Sequence, residues 1–307
     1  MANKSYHTTA LDALDALLIR ERLTTWQQLC CNPRRFVATW LYSLVSCQTV
    51  SKSKDGISVV CVSDTHGSKP SLPMGDILVH AGDLTKSGTV SELQEAADWI
   101  ASQQHKIKIV VAGNHDIALD PSYKRTKGRH GPELATSAIQ WGDIIYLENT
   151  SASIQCPNGR QLVVYGSPLS PIHGNWAFQY PRLQDPWTDI PPVCDILVTH
   201  APPFGHGDLG YGCRHLLSRL WHIRPKLHVF GHVHEGAGSY ALAYDAFQAA
   251  YEAVISHPSM WSLARLAWQF VTRVMWTSEE PQSQLVNAAL TGGLRNKIVR
   301  QPIKVWI

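Results

Sequence analysis

Six short apolar runs rich in β-branched residues recur along the middle of the chain, at residues 57–62, 77–79, 107–111, 162–165, 196–198 and 227–230. None alternates apolar with polar, which predicts strands covered on both faces. Helical spacing fills the intervals, notably 91–104 and 214–223. Strands alternating with helices predict a layered α/β architecture. In such sheets ligands gather beyond the carboxyl ends of the strands. Polar clusters follow the runs in this chain at those ends.

The flanks read differently. Residues 8–50 carry apolar positions at helical spacing: Leu11, Leu14, Leu17, Leu18, Leu23 and Trp26, then, after Pro33, Phe36, Val37, Trp40, Leu41, Leu44 and Val45. Two amphipathic helices are expected there, and residues 1–55 are assigned to a helical N-terminal extension. It either packs on the main domain or lies in a membrane interface, the latter favoured by Trp40, Tyr42, Arg34 and Arg35. A main domain is expected over 56–307, carrying a helical insertion at 241–280 and closing strands at 285–290 and 303–307.

Among 307 residues, 27 Lys and Arg face 24 Asp and Glu, a formal charge of +3 that leaves no broad basic face for a nucleic-acid polymer. Seven cysteines include no CxxC pair, and Cys61 and Cys194 sit inside apolar runs as buried small hydrophobes; a reducing compartment is expected. The opening residues lack a secretory pattern and no stretch reaches 18 apolar residues, so a cytoplasmic protein is expected, its only membrane contact peripheral, through the N-terminal helices.

The chemistry lies in five clusters. Ser63-Asp64-Thr65-His66-Gly67 follows the first run, with Asp64 and His66 two apart and so on one face of an extended segment. His80-Ala81-Gly82-Asp83 follows the second, Gly113-Asn114-His115-Asp116 the third, Thr199-His200 the fifth and Gly231-His232-Val233-His234 the sixth. Singly, each is as consistent with a turn or a satisfied histidine as with a ligand. Together they are not, because burying so many polar groups without a shared partner would cost several kcal/mol. Asp64, His66, Asp83, Asn114, His200, His232 and His234 are too many for one tetrahedral ion and suit two sharing a bridging carboxylate. Nitrogen and oxygen donors without thiolate favour manganese, iron, zinc or cobalt.

The order D-x-H, G-D, G-N-H-[DE], H, G-H-x-H resembles the signature of the calcineurin-like metallophosphoesterase superfamily, with all five blocks present. Within it, residues 79–85, 165–168, 176–180 and 225–236 are most similar to the metallophosphoesterase-domain-containing, class III cyclic-nucleotide-phosphodiesterase-like branch. The resemblance implies a four-layer αββα sandwich and a dinuclear centre, with manganese the first expectation and iron, zinc, magnesium, nickel or cobalt the others. Carried over by motif, Asp64, His66 and His234 hold one ion, Asn114, His200 and His232 the other, and Asp83 bridges. His115 matches the proton-donating residue and, with Asn114, contacts the phosphate. Gly205-His206-Gly207-Asp208 either reaches the substrate through His206 or is a simple glycine-rich loop. Phosphoprotein phosphatases of the superfamily carry an Asp-Arg-Gly where this chain has Leu84-Thr85-Lys86-Ser87-Gly88. A phosphodiesterase acting on a small phosphate ester, by attack of a metal-bridging hydroxide, is therefore expected. The alternatives are a phosphatase of the same fold and a membrane-associated adaptor on a metal-stabilised core.

Overall fold

Strand β1 (Ser58–Val62) sorts its side chains between two cores: Val59 and Cys61 point to one, Val60 and Val62 to the other. The same split holds for β2 (Ile77–Ala81) and β3 (Ile107–Val111), whose Val79 and Ile109 face the first core and Leu78 and Val110 the second. Burial on both faces is why these runs show no polar alternation. The structure is a computed structural model that describes residues 24–45, 56–123, 139–275, 282–292 and 298–307. The expected helical run through Leu11 to Leu23 lies outside the described residues.

Two sheets face each other across the shared core. In the first, β1, β2, β3 and β4 (Ile144–Tyr146) run parallel, and β13 (Ile303–Trp306) closes the edge antiparallel to β1. The second contains β5 (Thr150–Gln155), β6 (Gln161–Ser167), β9 (Ile196–Thr199), β10 (Leu227–Phe230), β11 (Gly238–Ala243) and β12 (Gln282–Asn287). Its four inner strands β6, β9, β10 and β12 are parallel, and β5 and β11 are antiparallel edges. Ile196, Val198, Leu227 and Val229 fill the intersheet core with Val59, Val79 and Ile109.

Helix α3 (Val90–Ala101) covers the outside of the first sheet with Leu93, Ala96, Ala97 and Ile100. Its start is fixed by a capping box in which Thr89 and Glu92 each accept from the other's backbone N–H. Helix α4 (Arg214–Ile223) covers the second sheet through Leu216, Leu220 and Ile223. The four layers are thus the expected αββα sandwich.

A further helical layer lies over α4. It joins α1 (Thr25–Cys31) and α2 (Pro33–Val45) from the N-terminal extension to α5 (Ala246–Ser256) and α6 (Met260–Met275). Tyr42 of α2 stacks on Tyr251 of α5 at 4.0 Å between centroids, and its hydroxyl donates to the Gln248 side chain at 2.6 Å. One expectation needs correcting here. Residues 241–243, read as the start of the helical insertion, end strand β11, where Ala241, Leu242 and Ala243 pair with Gln284, Ser283 and Gln282. The helix begins only after Asp245, whose carboxylate accepts from Gln248 N. An alanine-rich edge strand adjoining a helix carries one unbroken apolar pattern, and the period alone does not locate the switch.

Candidate active site

Every expected ligand sits just past a parallel strand, at the same end of the sandwich. Asp64 and His66 follow β1, Asp83 follows β2, Asn114 follows β3, His200 follows β9, and His232 and His234 follow β10. Four of them, Asp64, His66, Asp83 and His232, have left-handed backbones, with φ of 53°, 46°, 55° and 68°. Such a conformation costs about 1–2 kcal/mol per non-glycine residue and persists only where its surroundings impose it. Backbone bonds between loops impose it here: Asp64 N donates to Gly82 O at 2.9 Å and His66 N to Asp83 O at 3.1 Å. The glycines preceding ligands keep space for them. A Cβ at Gly113 would fall on the backbone N and Oδ1 of Asp83, and one at Gly231 on Ser63 Oγ and Asp64 Oδ2.

The side chains meet in two adjoining groups. In the first, one ligand atom from each of Asp64, His66, Asp83 and His234 lies within 4.8 Å of the others. His234 Nε2 is 3.1 Å from Asp64 Oδ1 and 3.4 Å from His66 Nε2. In the second, His200 Nε2 is 2.9 Å from Asn114 Oδ1 and 3.4 Å from Asp83 Oδ1, with the His232 ring 4.9 Å from that of His200. Asp83 belongs to both groups, its Oδ2 lying 3.9 Å from His66 Nε2 while Oδ1 faces His200.

His200 and His66 are aimed by their far nitrogens. Ala81 O lies 3.0 Å from His200 Nδ1 and Thr85 O 3.1 Å from His66 Nδ1, leaving each Nε2 for the cluster. Burial alone would raise the Asp64 carboxyl; the charges of His234 and His200 overcome it and hold Asp64 well below the carboxylate range. Asp83 is likewise held low against burial, chiefly by His200 and His115. Burial would lower His200, yet Asp83 and Asp64 raise it to about 9. His232 is pushed well below the usual imidazole range by burial, and next by His173 and His200.

This donor set fits two divalent ions. Two carboxylates stay ionised in a dry pocket, and imidazole nitrogens of different residues face one another at 3.4 Å, a contact that a shared cation would satisfy. A proton on His200 occupies the place that a metal bond would take.

His115 stands beside the groups. Its Nδ1 is 2.9 Å from Lys86 O, its ring is 4.7 Å from that of His66, and Trp176 lies against its other side at 4.2 Å. Asp116, the neighbour in sequence that could have oriented it, instead accepts from Gly113 N, Leu84 N, Thr85 N and Thr85 Oγ1. It thereby ties the loop after β2 to the loop after β3, and burial together with Asp83 raises its carboxyl to about 6.

His206 does not share the cluster's partners. Its Nε2 lies 3.1 Å from Gln248 Nε2 and 3.6 Å from Glu252, beneath Tyr42, so its imidazole serves the contact with the helical layer. His173 shows no signal in sequence, yet its ring is 4.6 Å from that of His232. It rides with Trp176 on the loop joining β7 (Ser170–Pro171) to β8 (Gln179–Tyr180). Ser63, also not singled out, donates its hydroxyl to Asp64 Oδ2 at 2.6 Å. The signal for Ser63 is its place, one residue past β1 and directly before the Asp of the D-x-H block.

The family model described as calcineurin-like phosphoesterase matches residues 57–236, the span that holds all seven clustered side chains. An Emericella nidulans protein named "Probable rhamnogalacturonate lyase C" is 47% identical over 303 residues, covering 96% of this chain and 29% of that protein. The Homo sapiens metallophosphoesterase domain-containing protein 1 is 35% identical over 206 residues, 58% of this chain and 61% of its own length. The Caenorhabditis elegans UPF0046 protein T07D4.2 is 34% identical over 223 residues, covering 63% of this chain and 55% of that one. The chain therefore spans less than a third of the first relative and less than two thirds of the other two.

Proposed function

The chain belongs to the calcineurin-like phosphoesterase family, and on that premise we propose that it is a two-metal phosphodiesterase acting on a cyclic nucleotide or another small phosphodiester. The observation that carries this reading is Asp83, whose two oxygens face different donor groups, as a carboxylate shared between two ions must. Bound divalent ions supply a water of lowered pKa and Lewis acidity toward the phosphoryl oxygens. Manganese is the first choice for nitrogen and oxygen donors without thiolate.

The chain's own groups do the rest. Asp64, His66 and His234 would hold one ion, Asn114, His200 and His232 the other, and the Asp83 anion would offset the repulsion between two bound cations. From its doubly protonated form, His115 gives its Nε2 proton to the departing alkoxide, while Nδ1–H stays donated to Lys86 O and Trp176 lies against the ring. The loop at 84–88 offers no guanidinium to a dianionic phosphomonoester, which favours a diester.

Turnover of bis(p-nitrophenyl) phosphate, 2′,3′-cyclic nucleotides, glycerophosphodiesters and p-nitrophenyl phosphate, each with manganese, magnesium, nickel or zinc, tests the proposal. Diester hydrolysis that chelation abolishes is expected. Undiminished turnover after chelation would overturn the two-metal reading, and faster hydrolysis of the monoester would make the protein a phosphatase.

A further inference from the structure

The outward face of α6 is apolar where an exposed helix face is ordinarily charged. Trp261, Trp268, Val271 and Met275 follow one another at helical spacings of seven, three and four, forming one stripe, and all are exposed, Trp261 by 87% and Trp268 by 66%. The opposite face is already used: Leu266 is buried against α2 and α5, with Leu263 and Phe270 packed beside it. Helix α3 shows the ordinary arrangement, with Ser91, Glu95 and Asp98 on its exposed side. Beside α6, helix α2 exposes Trp40 and Leu44 one turn apart, each by 55%.

Charge says what covers this face. Helices α1, α2 and α6 contain no Asp or Glu, and their only charged residues are Arg34, Arg35, Arg265 and Arg273. Arg273 pairs with Asp245, whereas Arg34, Arg35 and Arg265 are exposed and have no acidic partner among the described residues. A two-fold contact between copies would press this arginine-bearing surface, which has no Asp or Glu in its helices, against an identical one. A surface of anionic headgroups over an apolar interior meets both needs, since indole rings settle at headgroup level and arginine pairs with phosphate. No helix among the described residues is long and apolar enough to cross a bilayer, so the contact would lie in the plane of the interface.

We propose that α6, with α2 beside it, is a lipid-binding face that rests on an anionic phospholipid bilayer. The inference is independent of the phosphodiesterase reading. Co-sedimentation of the full chain with phosphatidylcholine vesicles, with and without phosphatidylserine, tests it, read together with tryptophan emission. The protein should sediment with the phosphatidylserine vesicles and its emission shift to the blue. Trp261→Ser with Trp268→Ser, both solvent-exposed, should weaken partitioning by at least about tenfold. Arg34→Gln with Arg35→Gln should weaken it by roughly fivefold for each arginine and flatten its salt dependence. Hydrolysis of a soluble diester should be unchanged in both variants. Failure to sediment with phosphatidylserine vesicles, or binding that survives loss of both tryptophans, overturns the proposal. A dimer in sedimentation velocity that the tryptophan pair dissociates also overturns it, and assigns the face to a second copy.

Discussion

The sandwich and the helical layer above it put apolar sequence to different ends. In the sandwich, β1, β2, β9 and β10 are buried along their whole length, and the polar residues at their ends find partners across loops. In the helical layer closure is one-sided: Tyr42, Phe247, Tyr251 and Leu266 pack inward while Trp40, Trp261 and Trp268 stay in solvent. The first region is complete by itself and holds chemistry at its rim. The second leaves apolar side chains of α2 and α6 exposed.

The largest effect should come from the rim. Asp83→Asn removes the anion facing both donor groups, so elemental analysis should show reduced metal at both positions and diester turnover should fall on the order of 10⁴-fold. Full dinuclear loading of that variant would contradict the shared role. His115→Ala, by contrast, should keep both metals while turnover drops roughly 10²–10⁴-fold. Metal loss there would make His115 a ligand instead.

Next comes Tyr42→Ala, which deletes the ring stacked on Tyr251 and the bonds to Gln248 and Ala241 O. A loss of about 3 kcal/mol from the helical layer is expected in urea unfolding followed by far-ultraviolet dichroism, with diester turnover unchanged. A parallel loss of turnover would mean that the two regions are coupled.

Acid should act on the sandwich through His228. Burial pushes its imidazole from 6.5 to about 3, so between those values the unfolded chain binds the proton and the folded protein does not. Stability therefore rises with pH across that window and is lost as pH falls, by roughly 3 kcal/mol at about pH 4. His228→Gln should flatten the curve in pH-dependent denaturation; an identical slope would exclude His228 as the cause. The smallest effect belongs to the exposed stripe, where Trp261→Ser with Trp268→Ser should shift stability by no more than about 0.5 kcal/mol per site.

What the sequence revealed follows the same division. The parallel strands were legible because burial on two faces leaves uninterrupted apolar runs, and the clustered side chains because each block stands directly after such a run. Strand β5 was not, since five of its six residues are exposed or half-exposed and only Ile154 is fully buried. Strand β11 was hidden by the alanines it shares with the following helix. The roles of Lys86 O and Asp116 were illegible because they depend on how one loop turns toward another, which adjacency in the chain does not establish. His206 was open to two readings for a related reason: it follows a motif closely, and only the course of its loop shows the ring turned toward Gln248.

The clustered side chains come from both halves of the sandwich, Asp64, His66, Asp83 and Asn114 from one sheet and His200, His232 and His234 from the other. Ions gripped from both sides would act as rivets, resisting any sliding of one half past its mate. Saturation at a hundred times the dissociation constant would add about 2.7 kcal/mol per site against unfolding, so the cell's supply of trace elements would govern how long the molecule survives as well as how fast it works.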